Sequence, residues 1–437
     1  MNVICIGYFD KFSRYFLDIK KHLKTNFSSN LHFRIYSIYF SGFLYAFIRL
    51  NHSSWLPVKA WLLVLQNKTS YKAKIASSNT YKGIEYETFI KFHTSLSNLI
   101  SPQRLKLQAL AYIDIFETVF SSNKPDVLVC VGDSRMPFEI AIAIAKQKQI
   151  PVYYLEQGPF NTTFFDHKGV NANLSVKDGF TCNMDFNSED LIIENKTLKT
   201  YHRSPIYRGF DMLLKALFEK TRLYPPDIKH TDLNSYKKPK RRSPQVDSKS
   251  IEKSILIILQ VPLDVNMIYH SPYFTNHYDM VKAISSNLPE DYQLIVREHP
   301  LYINIYESKL YDLTKKQGIT IDNSTDLKQA ITSSSLVIVN NSTVGLEAIF
   351  YHKPVLVLGD AFYDNNDIAY KYHDGLDMGE LIKKAIETPL DVACIERYKR
   401  FLYKTVLLQG SMSEKLLRSS KTVANRLSEL MAKSNTR

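Results

Sequence analysis

Glycine is scarce. The chain has 14 glycines in 437 residues and carries neither a G-x-G-x-x-G nor a G-x-x-x-x-G-K-[ST] run. That excludes the loops that cradle dinucleotides and triphosphates on backbone amides. Cysteine is scarcer: Cys5, Cys130, Cys182 and Cys394 are scattered without metal-ligand spacing, so no zinc module is written in them. Cys5 and Cys130 lie in apolar runs and read as reduced core residues, which fits a cytoplasmic, thiol-reducing setting. No apolar run reaches the roughly 18 residues that a membrane-spanning helix needs. The opening MNVICIGYFDKFSRYF lacks a basic lead and a cleavage site, so it does not read as a signal peptide. A soluble or peripheral protein is expected.

What is present is globular: 45% hydrophobic and 23% charged residues, in a length that suits two domains. The formal net charge of +13 points to solubility, to an anionic membrane surface or to nucleic acid. Its one dense cluster, Lys237-Lys238-Pro239-Lys240-Arg241-Arg242, sits in a polar stretch and reads first as a solvated linker, then as a membrane-surface contact. No nucleic-acid-binding module accompanies it, so nucleic acid is not an expected partner.

Apolar strands that end in polar turns and run into helices mark βαβ units of a parallel sheet. Strands at 2–8, 31–37, 126–131 and 151–155, with helices at 12–24, 102–121, 137–148 and 205–222, outline a first domain over 1–222. Within it, about 38–100 reads as a helical insertion. A basic polar linker follows at 223–250. The apolar strand from 254 restarts the pattern, with strands at 293–297, 319–322, 336–339 and 354–358 and helices at 276–287, 343–352, 379–388 and 392–408. This second domain covers 251–411, and 412–437 holds a last helix. The expected class is α/β: two Rossmann-like domains facing a cleft, with C-terminal helices crossing back, as in the glycosyltransferase-B architecture.

Ligands of open α/β sheets bind at the carboxyl ends of the strands. Strand 293–297 runs into Arg297-Glu298-His299-Pro300, and strand 336–339 into Asn340-Asn341-Ser342-Thr343. At a helix start, Ser342 and Thr343 offer hydroxyls, free amides and the positive dipole end to a phosphate; they also read as plain N-caps. His299 adds a donor, or is an ordered turn histidine. Glu347, one turn in, is placed to accept from a ribose hydroxyl, or is a surface helix residue. Three such groups on adjacent strand ends favour a nucleotide-sugar site.

Strand 151–155 ends in Glu156-Gln157-Gly158-Pro159. Glu156 reads equally as a crevice-facing acid, base or nucleophile and as a carboxylate satisfied by its own turn. Asp133 and Asp264, after other strands, stand behind it as catalytic candidates. Asp166, Gly169, Asn171 and Asn173 read as a loop lining the same cleft.

The blocks YLEQGPF, GVNANLS, LIILQVPLDVNMIYHSPYF, IVREHP, NNSTVGLEAIFYHKPVLVLGDAFY and FLYKTVLLQGS, in order from strand 126 to about 411, resemble the bacterial capsule polysaccharide biosynthesis family. That family includes transferases building the β-linked Kdo (3-deoxy-manno-octulosonic acid) linker of group 2 capsules. The resemblance implies a glycosyltransferase-B-like fold with CMP-Kdo as donor, held by His299-Pro300 and Ser342-Thr343. It matches Glu347 to a helix carboxylate and places Gln260 and Asp264 along the cleft. Arg297 and Asn341 complete the expected binding set. Related Kdo transferases carry Glu-Asp-Gly-Phe where this chain has Glu156-Gln157-Gly158-Pro159, which leaves Glu156 to act alone.

The expected function is therefore transfer of an acidic sugar from a CMP donor to a lipid or glycan acceptor, in the cytoplasm at the inner membrane. No metal and no cofactor is expected beyond the donor substrate, because CMP is a good leaving group. Expected partners are the nucleotide sugar, the acceptor, an anionic membrane surface and the capsule assembly and export machinery. The alternative is a non-catalytic assembly or export factor on the same fold; a nucleotide-sugar epimerase and a nucleic-acid-binding protein rank behind it.

Overall fold

The computed structural model describes residues 1–27, 31–96, 100–184, 199–218, 253–388 and 390–434. The linker at 223–250 and the end of the helix expected over 205–222 lie outside them. The chain divides into two compact units. The first comprises Met1–Val170, Ile193–His230 and Val406–Arg437; the second comprises Asn171–Ile192 and Thr231–Thr405.

The first unit opens with β1 (Asn2–Gly7), α1 (Asp10–Asn26), β2 (His32–Ser37), α2 (Phe40–Phe47), β3 (His52–Trp55) and α3 (Leu56–Ser77). A small hairpin, β4 (Thr80–Tyr81) and β5 (Ile84–Glu85), precedes α4 (Lys91–Leu96), α5 (Pro102–Ser122), β6 (Val127–Val131), α6 (Met136–Gln147), β7 (Val152–Gln157), β8 (Thr162–Asp166) and α7 (Pro205–Phe218). Alternate residues of β1 and β6 face opposite ways, as the period of two demands. Ile4, Ile6, Leu128 and Cys130 pack under α5 and α6 with Leu110, Phe116 and Ile140. Val3, Cys5, Val127 and Val129 pack on the other face with Tyr15, Phe16, Val423 and Leu427. A parallel sheet covered on both faces needs such continuous apolar strands.

The second unit has β9 (Ser254–Ile258), α8 (Val265–Tyr269), α9 (His277–Ser285), β10 (Gln293–Arg297), α10 (Ser308–Gln317), β11 (Thr320–Ile321) and α11 (Leu327–Ser333). Then follow β12 (Leu336–Val339), α12 (Thr343–Phe350), β13 (Val355–Val357), β14 (Tyr370–Lys371), α13 (Met378–Glu387) and α14 (Val392–Thr405). Its sheet runs β11-β10-β9-β12-β13-β14 and is parallel throughout. Back in the first unit, β15 (Leu407–Gln409) and α15 (Arg418–Ser434) complete the chain. The first sheet is then β15-β8-β7-β6-β1-β2-β3, parallel except at β8 and β15. Two α/β units with doubly covered, Rossmann-like sheets are thus present, and the C-terminal segment returns to the first.

Several expectations are corrected. The 38–100 stretch is not wholly helical: β3 joins the sheet as an edge strand, pairing Arg34 with His52 and Ser37 with Trp55. The loop expected around Asp166 begins as β8, turned back from β7 through Phe160 and Asn161, both at positive φ (51° and 58°). Two consecutive left-handed residues suit the twist of a tight hairpin. Asp166 is only 2% exposed and accepts from the Lys168 and Gly169 amides, so it closes a turn. The helix expected to run through 408 stops at Thr405, and β15 pairs with β8 instead. Residues 171–184, expected with the first domain, belong to the second unit. There Phe180 packs on Tyr398 and Phe401, Asn365 donates to the Phe180 carbonyl at 3.1 Å, and Cys182 is disulfide-bonded to Cys394, Cα atoms 5.1 Å apart. A pair 212 residues apart leaves no spacing to read. Cys5 and Cys130 are free and buried, and burial pushes both thiols up.

Candidate functional site

In the second sheet the order of connection reverses at β9, which has β10 on one side and β12 on the other. The register sets Ile258 beside both Arg297 and Val339. Gln260, His299 and Ser342 therefore leave neighbouring strand ends at the switch point, where such sheets bind ligands.

Gln260 is 6% exposed, and among the described residues neither its Oε1 nor its Nε2 has a hydrogen-bond partner. Its carbonyl accepts from the Tyr306 hydroxyl at 3.0 Å, and that hydroxyl accepts from the His299 amide, also at 3.0 Å. Tyr306 thus ties two strand ends together. Glu298, buried beneath, accepts from Tyr311 (2.6 Å), the Asn304 amide (3.1 Å) and Asn323 (2.7 Å). With its carboxylate saturated, Glu298 is framework. The His299 Nδ1 accepts from the Leu301 amide at 3.3 Å, which leaves the proton on Nε2 as an available donor. Burial lowers the pKa of this ring, so it donates as a neutral group. Pro300 shapes the turn in which the Tyr302 amide closes on the His299 carbonyl at 2.8 Å.

At the start of α12, Ser342 caps the helix by accepting from the Val344 amide at 3.3 Å. Thr343 is the first helical residue beside it. Asn341 donates to the carbonyls of Asn266 (3.1 Å) and His270 (2.7 Å), fixing α8, while its buried Oδ1 has no partner among the described residues. Gly345 allows α12 to press onto Tyr363: an added Cβ would collide with that ring. The Tyr363 hydroxyl bonds in turn to the Ser342 carbonyl. Glu347 is half-buried one turn into α12, and burial pushes its carboxyl up to about 7.

Two expected site residues are turned to other work. Arg297 donates to the Thr325 carbonyl at 2.7 Å beside Asp322 and Asp326, so its guanidinium holds the turn after β11. Asp264 accepts from the Val265 amide at 2.7 Å and caps α8.

The first sheet has its own switch at β1, between β6 and β2. Glu156 lies at the end of β7, where its Oε1 accepts from the Gln157 amide at 2.9 Å; the bond expected of a self-satisfied turn is formed. Lys11 stands near it: burial lowers the lysine's pKa and the Glu156 carboxylate opposes that shift. Asp133 accepts from Ser134 (2.8 Å) and from the Val170 amide (3.1 Å). Gln157 is fully engaged, donating to the carbonyls of Gly158 and Thr162 and accepting from Ser411 (2.9 Å) and Ser413 (3.3 Å).

Lys11, Tyr306 and Arg135 were not picked out from the sequence. Arg135 sits at φ +85° and ψ 139°, a region that costs a side-chain-bearing residue about 1–3 kcal/mol. Its guanidinium lies over the rings of Tyr8 (4.9 Å) and Phe92 (5.7 Å). Nothing local in GDSRMP announces that conformation. The isolated lysine four residues past the β1 strand end was the one visible signal for Lys11.

Residues 224–376 match the family model described as capsule polysaccharide biosynthesis protein. Protein FixF of Sinorhizobium fredii is 29% identical over 165 residues, 37% of this chain and 39% of that protein. The capsule polysaccharide modification protein LipB of Neisseria meningitidis serogroup B is 22% identical over 356 residues, 72% of this chain and 81% of that one. The chain thus spans well under half of FixF and most of LipB. Among solved structures, the β-Kdo 2,7 transferase KpsC of Thermosulfurimonas dismutans is 18% identical with a TM-score of 0.33, covering 62% of this chain and 79% of that one. The family match and the sequence relatives support a capsule polysaccharide biosynthesis family for the chain.

Proposed function

We propose that the chain is a capsule polysaccharide glycosyltransferase that moves an acidic sugar, Kdo from CMP-Kdo, to a lipid or glycan acceptor at the inner face of the cytoplasmic membrane. The observation that carries this reading is Gln260, a buried amide with both polar atoms unpaired among the described residues, at the switch point of a sheet. Leaving such a group unsatisfied costs about 1–3 kcal/mol. A ligand with a donor and an acceptor side by side, as a pyrimidine edge or a polar sugar face has, removes that cost.

In this reading the second unit binds the donor. The His299 Nε2–H, the free amides at the start of α12 and the hydroxyls of Ser342 and Thr343 meet the phosphate as negative charge develops on the leaving CMP. Glu347 accepts from a ribose hydroxyl, and Asn341 and Pro300 hold the two turns in shape. Glu156, beside Lys11, is the candidate base, which takes the proton of the acceptor hydroxyl as its oxygen bonds the anomeric carbon. The electron pair of the broken glycosyl–phosphate bond leaves with CMP. The same carboxylate acting as nucleophile gives the double-displacement version. Asp133 and Asp264 act through the loops they bond rather than on the substrate.

Binding of CMP against UMP, GMP and ADP, in the wild type, His299→Ala and Ser342→Ala, tests the donor site. Selective CMP binding that weakens in both variants is the expected result. A uridine preference would remove the CMP-sugar donor while keeping the site, and no nucleotide binding would remove the transferase reading.

A second reading, a non-catalytic capsule assembly or export factor, is favoured by one feature. The side chain at 157 is committed to four hydrogen bonds, and Glu156 bonds its own turn. Under that reading CMP binds but no sugar is released from a CMP donor.

A further inference from the structure

We infer that the face of the first unit built by α2 and α7 is a docking surface for a bilayer bearing anionic headgroups. It gives the inner-membrane placement of the proposed function a physical surface, and rests on that reading only for which membrane it meets.

The helix α7 exposes more apolar side chains than a solvated helix needs. Its one fully buried side chain is Asp211, which accepts from the Ser41 amide (2.9 Å) and hydroxyl (2.6 Å) and pairs with Arg203 at 2.7 Å. Ile206 is 70% exposed, Leu217 59% and Leu213 55%. The helix is held by this polar anchor together with Leu214 and Phe218, which pack against the core, and it still presents Ile206, Leu213 and Leu217 outward. Beside it, Phe40 meets Phe210 at 6.0 Å and Tyr45 meets Tyr207 at 5.5 Å, so α2 continues the same face. Phe47 and Ile48 are exposed at its end, and Leu50 follows at 97% exposure with φ +55°. A left-handed backbone at a bulky apolar residue is unusual, and here it holds that side chain out in solvent. Trp61, Leu62 and Leu65 of α3 are exposed as well. Single exposed leucines need no explanation, but neighbouring elements that share them do.

The charge on this segment chooses the occupant. Between Asp18 and Glu85 the chain has no aspartate or glutamate, while Lys20, Arg34, Arg49, Lys59, Lys68 and Lys72 all fall there. Where β2 and β3 form the open edge of the sheet, a cavity of about 390 Å³ is lined by Lys20, His32, Arg34, His52 and Lys59 among others, and by no carboxylate. Arg49 lies over the Tyr45 ring at 3.7 Å and, among the described residues, bonds only the Tyr45 carbonyl and the Tyr207 hydroxyl. Cations beside an edge strand also discourage strand pairing, but that role calls for neither a cavity nor exposed tryptophan and leucine. A second copy of the chain would bring the same cations against this face, which opposes a two-fold contact. A bilayer supplies both halves of what is missing, an acyl boundary for the apolar side chains and phosphates for the cations.

The test is co-sedimentation of the full chain with vesicles of phosphatidylcholine alone or with about a third phosphatidylglycerol. Binding is expected to the anionic vesicles, weakening as salt rises. Leu213→Glu with Leu217→Glu is expected to lower it by about tenfold or more, and Leu50→Glu, at a site that packs against nothing, by a smaller factor. Arg49→Ser with Lys59→Ser is expected to lose about tenfold, whereas serines in place of the cations in 237–242 leave binding within about twofold. Circular dichroism and CMP titration of each variant separate misfolding, or failure of the nucleotide reading, from failure of the surface. Equal binding by the α7 variant, equal binding to neutral vesicles, or a wild-type dimer that the α7 variant returns to monomer would each overturn the inference.

Discussion

The two sheets end in clusters of opposite character. At the first sheet's strand ends the polar groups serve one another: Gln157 is bonded on both its atoms, Asp133 closes on Val170, and Glu156 accepts from its own turn. At the second sheet's strand ends the framework is satisfied from below, by Glu298 and Tyr306, and the groups above are left over. Gln260 and the Asn341 Oδ1 are buried without a partner among the described residues, and the half-buried Glu347 carboxyl beside them is pushed up by desolvation. A group that is buried and unpaired is expensive to keep, so the second cluster reads as a site awaiting its ligand. The first reads as a rigid rim with one adjustable carboxylate beside Lys11.

The largest test of this contrast falls on that carboxylate. Glu156→Gln keeps the size and the turn while removing the base, and is expected to slow sugar transfer from CMP-Kdo by about 10²- to 10⁴-fold. CMP affinity in the same variant should stay at the wild-type value. If transfer persists at near the wild-type rate, the first cluster holds no catalytic group, and the contrast is one between a site and plain structure.

On the other side, His299→Ala removes the Nε2–H donor without touching the Glu298 framework. A lost hydrogen bond to a charged phosphate is worth about 1.5–3 kcal/mol, hence a fall in CMP affinity by roughly ten- to a hundredfold, read by isothermal titration. Melting should be little changed, because the bonds to Tyr306 and from Tyr302 use the backbone of residue 299. A variant that melts early but still binds CMP would reverse the assignment of framework and ligand group.

Gln157→Leu sharpens the difference from the first cluster. It removes hydrogen bonds that join the β7–β8 turn to Ser411 and Ser413, and is expected to cost about 1–3 kcal/mol in stability. CMP affinity should not change. Denaturant unfolding of the two proteins measures it, and the reverse pattern would make Gln157 a ligand contact.

The sequence made the repeating strand–turn–helix pattern legible, and with it the strand ends, because buried parallel strands must be continuously apolar. His299, Ser342 and Glu347 could be chosen because each follows such a run directly. Arg297 and Asp264 were chosen on the same ground and serve turns instead, since position after a strand does not say which way a side chain leans. The short β15 hid inside a helical apolar pattern, as three residues pairing with β8 from across the chain carry no local signal. The α2–α7 face was missed for another reason: exposed leucines and phenylalanines read as core until burial is known. The absence of acids between Asp18 and Glu85 was the available clue.

The finest test of the contrast is the titration of Glu347. Its carboxyl is pushed up to about 7 by burial, above the ordinary range of a free glutamate. The folded chain therefore holds a proton that the unfolded chain releases between about pH 4.5 and 7. Over that window the unfolded state binds fewer protons, so stability falls as pH rises, and the loss is complete above the folded pKa. With an allowance for partial solvent screening, about 2 kcal/mol is at stake. Glu347→Gln, which cannot ionise, should melt close to wild type at pH 5 and above it at pH 8. A ribose hydroxyl donating to the carboxylate favours the ionised form, so CMP should bind the wild type better on going from pH 6 to 8 than it binds Glu347→Gln over the same range. Taking the difference between the two proteins cancels the titration of the CMP phosphate itself. Parallel profiles would mean that Glu347 is buried for packing and does not meet the nucleotide, which would shrink the second cluster to Gln260, His299 and the start of α12.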